Sequence, residues 1–225
     1  MQTVSRELID RLGRPRLSEA AVDLRRFWRQ REDLRRLEEA GIPPVMGGAN
    51  HWTYIVYNSA MATSAAPVKQ PTGTAIRTMM QLKPATGVFL VPIAWGCSFD
   101  GSAAATPGIV ELIACDTGAT SLSTAYAAAD VQPYGDPNAD ANTAGTSGVP
   151  LNLGTSASGF STGSVTENAP AVTRMFDVQL IAPTNQYAQQ WPLGREAGLK
   201  EGTYLRVRAT FAASVNMICW IVFEV

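Results

Sequence analysis

The chain has 225 residues, 18 Lys+Arg against 19 Asp+Glu for a net charge of −1, and a charged share of only 16% beside 46% hydrophobic residues. That length is enough for one domain of ordinary size with an extension, and enough to bury a core. A near-neutral total supplies no basic field, no apolar run of 18 residues is present, and the charged N-terminal stretch lacks the apolar core of a signal peptide, so neither nucleic acid nor a membrane is expected as partner.

The first fifth of the chain is a different material from the rest. Residues 1–40 hold 10 of the 18 basic and 8 of the 19 acidic side chains. Residues 18–40 read as a helix, with Ser18 as N-cap and Gly41, Pro43 and Pro44 as its stop. Leu17, Ala20, Leu24, Phe27, Leu34 and Leu37 form an apolar stripe that only Arg31 interrupts, and charged residues crowd the opposite surface. A shorter helix over about Ser5–Leu12, ended by Gly13 and Pro15, precedes it. Mixed charge on such a face suits a protein partner better than nucleic acid. The expected contact residues of this arm are Leu24, Arg25, Arg26, Phe27, Arg29, Leu34 and Leu37.

Residues 42–50, with Pro43, Pro44 and Met46-Gly47-Gly48, read as a linker. From residue 51 to 225 the pattern changes to period two. Thr53–Asn58 is β-branched and aromatic. Ile76, Met80 and Leu82 share one face of Ala75–Lys83, and Phe89, Val91, Ile93, Trp95, Cys97 and Phe99 share one face of Val88–Phe99. The Asp100-Gly101 turn leads to Ile109–Cys115. Phe176, Val178 and Leu180 alternate with Asp177 and Gln179. Leu205, Val207, Ala209 and Phe211 oppose Tyr204, Arg206, Arg208 and Thr210. This pattern predicts an all-β antiparallel sandwich, jelly-roll-like, behind an N-terminal α-helical arm over 1–41.

The strand Val215–Val225 is apolar on both faces, with Ile218, Trp220 and Val222 opposite Met217, Cys219, Ile221 and Phe223. A sandwich strand has one face on the core, so the second face needs cover, from the arm or from another subunit. Ile218, Trp220 and Val222 are the expected oligomer contact. Between Asp116 and Thr173 the chain is rich in Ala, Ser, Thr, Gly and Asn, much of it loop, and from Pro84 to Thr173 there are seven acids and no Lys or Arg.

Chemistry finds little foothold. His51 is the only histidine, beside Trp52 after the Gly-rich linker, and no phosphate-cradling or nucleophile-elbow string occurs. Cys97, Cys115 and Cys219 are widely spaced in apolar runs and read as buried small hydrophobes of a protein made in a reducing cytoplasm. Asp136, Asn138, Asp140 and Asn142 carry oxygens at alternate positions, like the first half of a calcium loop. Ala141 stands where the tight-turn glycine belongs and Ser147 where the bidentate acid belongs, which favours an Asx-rich turn. Asp100, Glu111 and Asp116 would serve sugar hydrolysis only if they met in space. Trp52, Tyr54 and Tyr57 would make an aromatic platform for sugar, though such a trio more often packs a sheet. No metal, cofactor or catalytic residue is expected.

Two stretches resemble virion proteins of tailed bacteriophages. One runs Trp95-Gly96-Cys97-Ser98-Phe99-Asp100-Gly101-Ser102-Ala103-Ala104-Ala105, followed by the strand Ile109–Ile113. The other runs Gln190-Trp191-Pro192-Leu193-Gly194-Arg195-Glu196, then Gly202-Thr203-Tyr204-Leu205-Arg206-Val207, ending in Phe223-Glu224-Val225. The family is that of jelly-roll head-decoration, cement or head-fibre proteins; the charged arm is no part of the likeness. The resemblance implies a non-enzymatic homotrimer on the capsid surface of the virion, bound to the major capsid protein. Residues 1–41 are then the expected anchor. A tail, collar or fibre-base protein and a carbohydrate-binding module are the alternatives.

Overall fold

The computed structural model describes residues 53–61, 66–102, 106–118, 122–134, 149–162, 167, 171–192, 195–199 and 202–225. The chain divides after Asn50, and all of these residues belong to the unit His51–Val225. The expected arm, with Leu24, Arg25, Arg26, Phe27, Arg29, Leu34 and Leu37, lies outside the described residues.

Among the described residues twelve strands follow in chain order: β1 (Thr53–Tyr57), β2 (Gln70–Pro71), β3 (Arg77–Leu82), β4 (Val91–Phe99), β5 (Gly108–Cys115), β6 (Thr124–Ala125), β7 (Gln132–Pro133), β8 (Gly159–Phe160), β9 (Val172–Ile181), β10 (Gln186–Gln190), β11 (Tyr204–Thr210) and β12 (Asn216–Glu224). They form two antiparallel sheets. Sheet A has the order β10-β4-β12-β1-β7, with β2 also on β12, and sheet B has the order β6-β8-β3-β11-β5-β9. The result is an all-β sandwich, as the alternation predicts.

Eight strands are five residues or longer, and their pairing nests. The first pairs with the eighth (β1 with β12), the second with the seventh (β3 with β11), the third with the sixth (β4 with β10) and the fourth with the fifth (β5 with β9). One long hairpin has been folded across itself, and β12 on β4 and β11 on β5 complete the sheets.

The inner faces of both sheets meet in one core. Tyr54, Val56, Trp95, Cys97, Met217, Cys219, Ile221 and Phe223 come from sheet A, and Met80, Leu82, Val110, Leu112, Leu205, Val207 and Ala209 from sheet B. Each fully buried aliphatic or aromatic side chain here contributes about 1.5–3 kcal/mol relative to exposure. Phe99 and Phe211 join the two layers at one end, with ring centroids 4.9 Å apart.

Bulges break the alternation at definite places. Val207 and Arg208 of β11 pair with Met80 and Thr78, so Met79 is an extra residue in β3. Val222 and Phe223 pair with Ala94 and Pro92, so Ile93 is extra in β4. Each bulge reverses the phase of what precedes it. Ile76, expected on the face of Met80 and Leu82, is exposed, and Met79 is buried instead. Phe89, expected with Trp95 and Cys97, is exposed as well.

Candidate interaction surface

The segment between β5 and β9 supplies β6, β7 and β8, which pair onto β3 and β1 and so extend both sheets on one side of the sandwich. On the other side β9 and β10 are the last strands of their sheets among the described residues, joined by the turn at Ala182–Asn185. An open edge strand of ten residues invites pairing unless something disrupts it. In β9 the disruption is two bulges. Leu112 and Ile113 pair with Asp177 and Met175, and Ala114 and Cys115 with Arg174 and Val172, which makes Phe176 and Thr173 the extra residues.

The register on β5 decides which way β9 faces, and the two bulges bring Met175 and Val172 onto the same face as Val178 and Leu180. Asp177 pairs with the core residue Leu112 and points inward, whereas Val172, Met175, Val178 and Leu180 all fall on the outer face. Ile109 stands directly across from Leu180 on β5. All five are exposed: Leu180 72%, Val178 and Met175 48%, Ile109 46% and Val172 40%. The alternation of β9 is therefore turned inside out, with its aliphatic residues toward solvent and its carboxylate toward the core.

The inward carboxylate ties the open sides of the sheets together. Trp95 Nε1 donates to Asp177 Oδ2 at 3.1 Å, the Tyr187 hydroxyl to the same oxygen at 2.6 Å, and Gln179 Nε2 to Oδ1 at 2.7 Å. Trp95 and Tyr187 also meet edge to face, 5.4 Å between centroids. Burial, followed by the Asp177 hydrogen bond, raises the Tyr187 pKa. Burial and the Asp177 charge push the Cys97 thiol up to about 12, and burial raises Cys219 and Cys115 too. All three cysteines are free and buried, in keeping with the sequence reading, and such thiols are poor nucleophiles.

Beside the apolar stripe, the middle of the same outer face is charged and covered. Arg206, with no exposed surface, donates from Nε and Nη2 to Gln81 Oε1 at 3.1 and 2.7 Å, from Nη2 to the Thr117 carbonyl at 2.8 Å, and from Nη1 to Glu167 Oε1. Arg208 grips Glu111 through two hydrogen bonds, at 2.6 and 3.3 Å, and lies 3.5 Å from Glu167 Oε2. Burial works against the Arg208 charge, but the Glu111 hydrogen bond and the Glu167 carboxylate outweigh it and raise its pKa. Two arginines and two glutamates balance one another here, and no net charge is left at the rim of the stripe.

Among the expected oligomer contacts, Val222 is only 3% exposed and offers no surface, a correction to the sequence reading. Ile218 and Trp220 are half-buried on the outer face of sheet A. Trp220 pairs with Gly96, and a Cβ on that glycine would lie 2.6 Å from the indole. The ring is thus partly engaged by its own sheet. Tyr54 points into the core against Phe223, while Tyr57, three residues on, is half-buried, so these two do not form a platform. Asp100 accepts from Lys69 and Asn216, Glu111 is held by Arg208, and Asp116 follows the end of β5, roughly 16 Å along the chain from Glu111. That spacing is too wide for a carboxylate pair acting on one glycosidic bond.

His51, Trp52 and the stretch 136–142 lie outside the described residues. Among the described residues no cluster of three His, Cys, Asp or Glu could hold a metal. An open depression of about 440 Å³ is lined by Ser98, Phe99, Thr184, Asn185 and Gln186. Sequence reasoning missed the β9 stripe because Val178 and Leu180 alternate just as core residues do. The signal that could have raised it is the acid Asp177 on the other face of the same strand. No protein-family model, no curated protein and no solved structure matches the chain.

Proposed function

We propose that this chain is a structural protein of a tailed-phage particle, a capsid decoration or cement protein whose N-terminal arm binds the major capsid protein and whose sandwich is a jelly roll. The nested pairing of eight strands, first with eighth through fourth with fifth, is the observation that carries the reading. It is the connectivity of a jelly roll, an architecture that recurs in viral capsid and lectin domains. Fold alone does not give function, so the surface has to agree. It does: the described residues carry a flat apolar stripe and internally balanced charges, which suit shape-matched contact with proteins.

The arm is the anchor in this reading. Full-length chain should bind phage heads stripped of their decoration layer. Changing Arg25, Arg26 and Arg29 together to Glu should weaken that binding at least tenfold, about 1.4 kcal/mol, in a salt-dependent way. Equal binding by the variant would remove the arm from the contact. Labelling intact particles would show whether the chain sits on the head or at the tail, collar or fibre base.

A carbohydrate-binding module is the second reading, favoured by the depression beside the turn between β9 and β10. Its lining of hydroxyl and amide groups with one phenyl ring is chemistry suited to a sugar. Signal on a glycan array, lost on Asn185→Ala with Gln186→Ala, would support it over the particle reading.

A further inference from the structure

The apolar stripe of Val172, Met175, Val178 and Leu180 with Ile109 calls for an occupant. Together these residues present on the order of 500 Å², at the upper end of the largest patch a monomer normally shows and over half of what one side of a standard interface buries, about 800 Å². We infer that the stripe is the surface through which two copies of this chain pack on one another, stripe against stripe about a two-fold axis. This does not rest on the particle reading.

Three observations choose a second copy over another partner. The stripe carries no charge of its own: Asp177 pairs with the core residue Leu112 and faces inward, and the bulge at Phe176 turns Arg174 away from that face. Arg206 and Arg208 next to it are neutralised by Glu111 and Glu167, so on this face, among the described residues, an acidic or basic partner finds no net charge to pair with. A symmetric contact must match itself, and this stripe does. Reversed end for end, Val172-Met175-Val178-Leu180 still sets an aliphatic side chain against each aliphatic side chain. The asymmetry of the fold agrees: β6, β7 and β8 extend the sheets on the far side, while among the described residues no strand pairs beyond β9.

Sedimentation of the full chain at micromolar concentration tests the inference. The unaltered protein should be a dimer, because a contact that matches itself end for end joins two copies. Leu180→Asp with Val178→Asp should dissociate at least tenfold more readily, with its folded circular-dichroism spectrum kept, because both positions are exposed. A second measurement relies on the native thiols being buried, which leaves introduced ones to react. In Val178→Cys mixed with Met175→Cys under oxidised glutathione, the introduced thiols of two copies should join as a disulfide, their two electrons and two protons passing to the glutathione. A monomeric unaltered protein would overturn the inference and leave the stripe to a different protein. An oligomer of unchanged mass and stability in the Asp variant, with no stripe-to-stripe disulfide, would overturn it equally and move the contact elsewhere, for instance to Ile218 and Trp220.

Discussion

On the outer face of sheet B, Arg206 has no exposed surface while Leu180, two strands away, stands 72% exposed. Elementary preferences run the other way for both. Desolvating a guanidinium costs several kcal/mol, and an exposed leucine forgoes about 1.5–3 kcal/mol of burial. Each departure therefore needs an offset. Arg206 finds its own inside the chain, in Gln81, the Thr117 carbonyl and Glu167. Leu180 has none among the described residues, and by the inference above a second copy supplies it. One sheet face thus carries a contact the chain completes alone beside one it completes by association.

The largest expected effect breaks the internal contact. Arg206→Met leaves Glu167, buried, with Arg208 at 3.5 Å as its one cation among the described residues, and should cost about 3–5 kcal/mol in urea unfolding. Arg206→Met with Glu167→Met should recover much of that loss, since an apolar pair of similar size can be neutral or better. A single-variant loss under about 1 kcal/mol would show that the cluster is solvated rather than buried. Leu180→Ser, by contrast, should stay within about 0.5 kcal/mol in the dissociated chain.

A smaller effect is expected on sheet A, where the chain covers its own apolar residues in part. At Gly96 a Cβ would meet the Trp220 indole at 2.6 Å and the Tyr187 carbonyl at 2.7 Å. The backbone oxygen cannot swing aside, so Gly96→Ala should destabilise by about 1–3 kcal/mol and raise the exposure of Trp220, read by its fluorescence. Unchanged stability and emission would mean that the indole is free, which would restore Trp220 as an intersubunit contact.

Much of the sandwich was legible because alternation is a direct image of the pleat. Leu205, Val207, Ala209 and Phe211 lie on the core side as the spacing predicts, and so do Trp95 and Cys97. The misreadings gather at bulges. Met79 and Ile93 each add one residue, and one residue is enough to send Ile76 and Phe89 to the surface. The candidate surface was illegible for a related reason. Val178 and Leu180 alternate just as core residues do, and nothing in Val172–Ile181 says that pairing with β5 turns them outward or that Thr173 and Phe176 are extra. Val222 misled in another way: apolar residues on both faces of β12 say that both are covered, but not by what.

The smallest effect concerns an ion pair in the open, a useful foil to Arg206 and Glu167. Lys69 donates to Asp100, with Asn216 adding a second donor at 3.3 Å. The Lys69 hydrogen bond outweighs the opposing desolvation and, with the Asn216 hydrogen bond and the Lys69 charge, holds the Asp100 carboxyl below its ordinary value of 3.8. A carboxylate depressed in the folded state stabilises the fold above its unfolded pKa and loses that contribution as pH falls through the folded one. The pair therefore acts at neutral pH and fades only below pH 3.8. Lys69→Met should move the Asp100 titration up toward the ordinary value, followed by the carboxyl carbon resonance, and should leave neutral-pH stability almost unchanged, because exposed pairs are solvent-screened. Added salt should shift the unaltered protein in the same direction. If Lys69→Met instead unfolded the chain at neutral pH, exposure would no longer separate this pair from the buried cluster, and the contrast drawn from Arg206 would lose its physical basis.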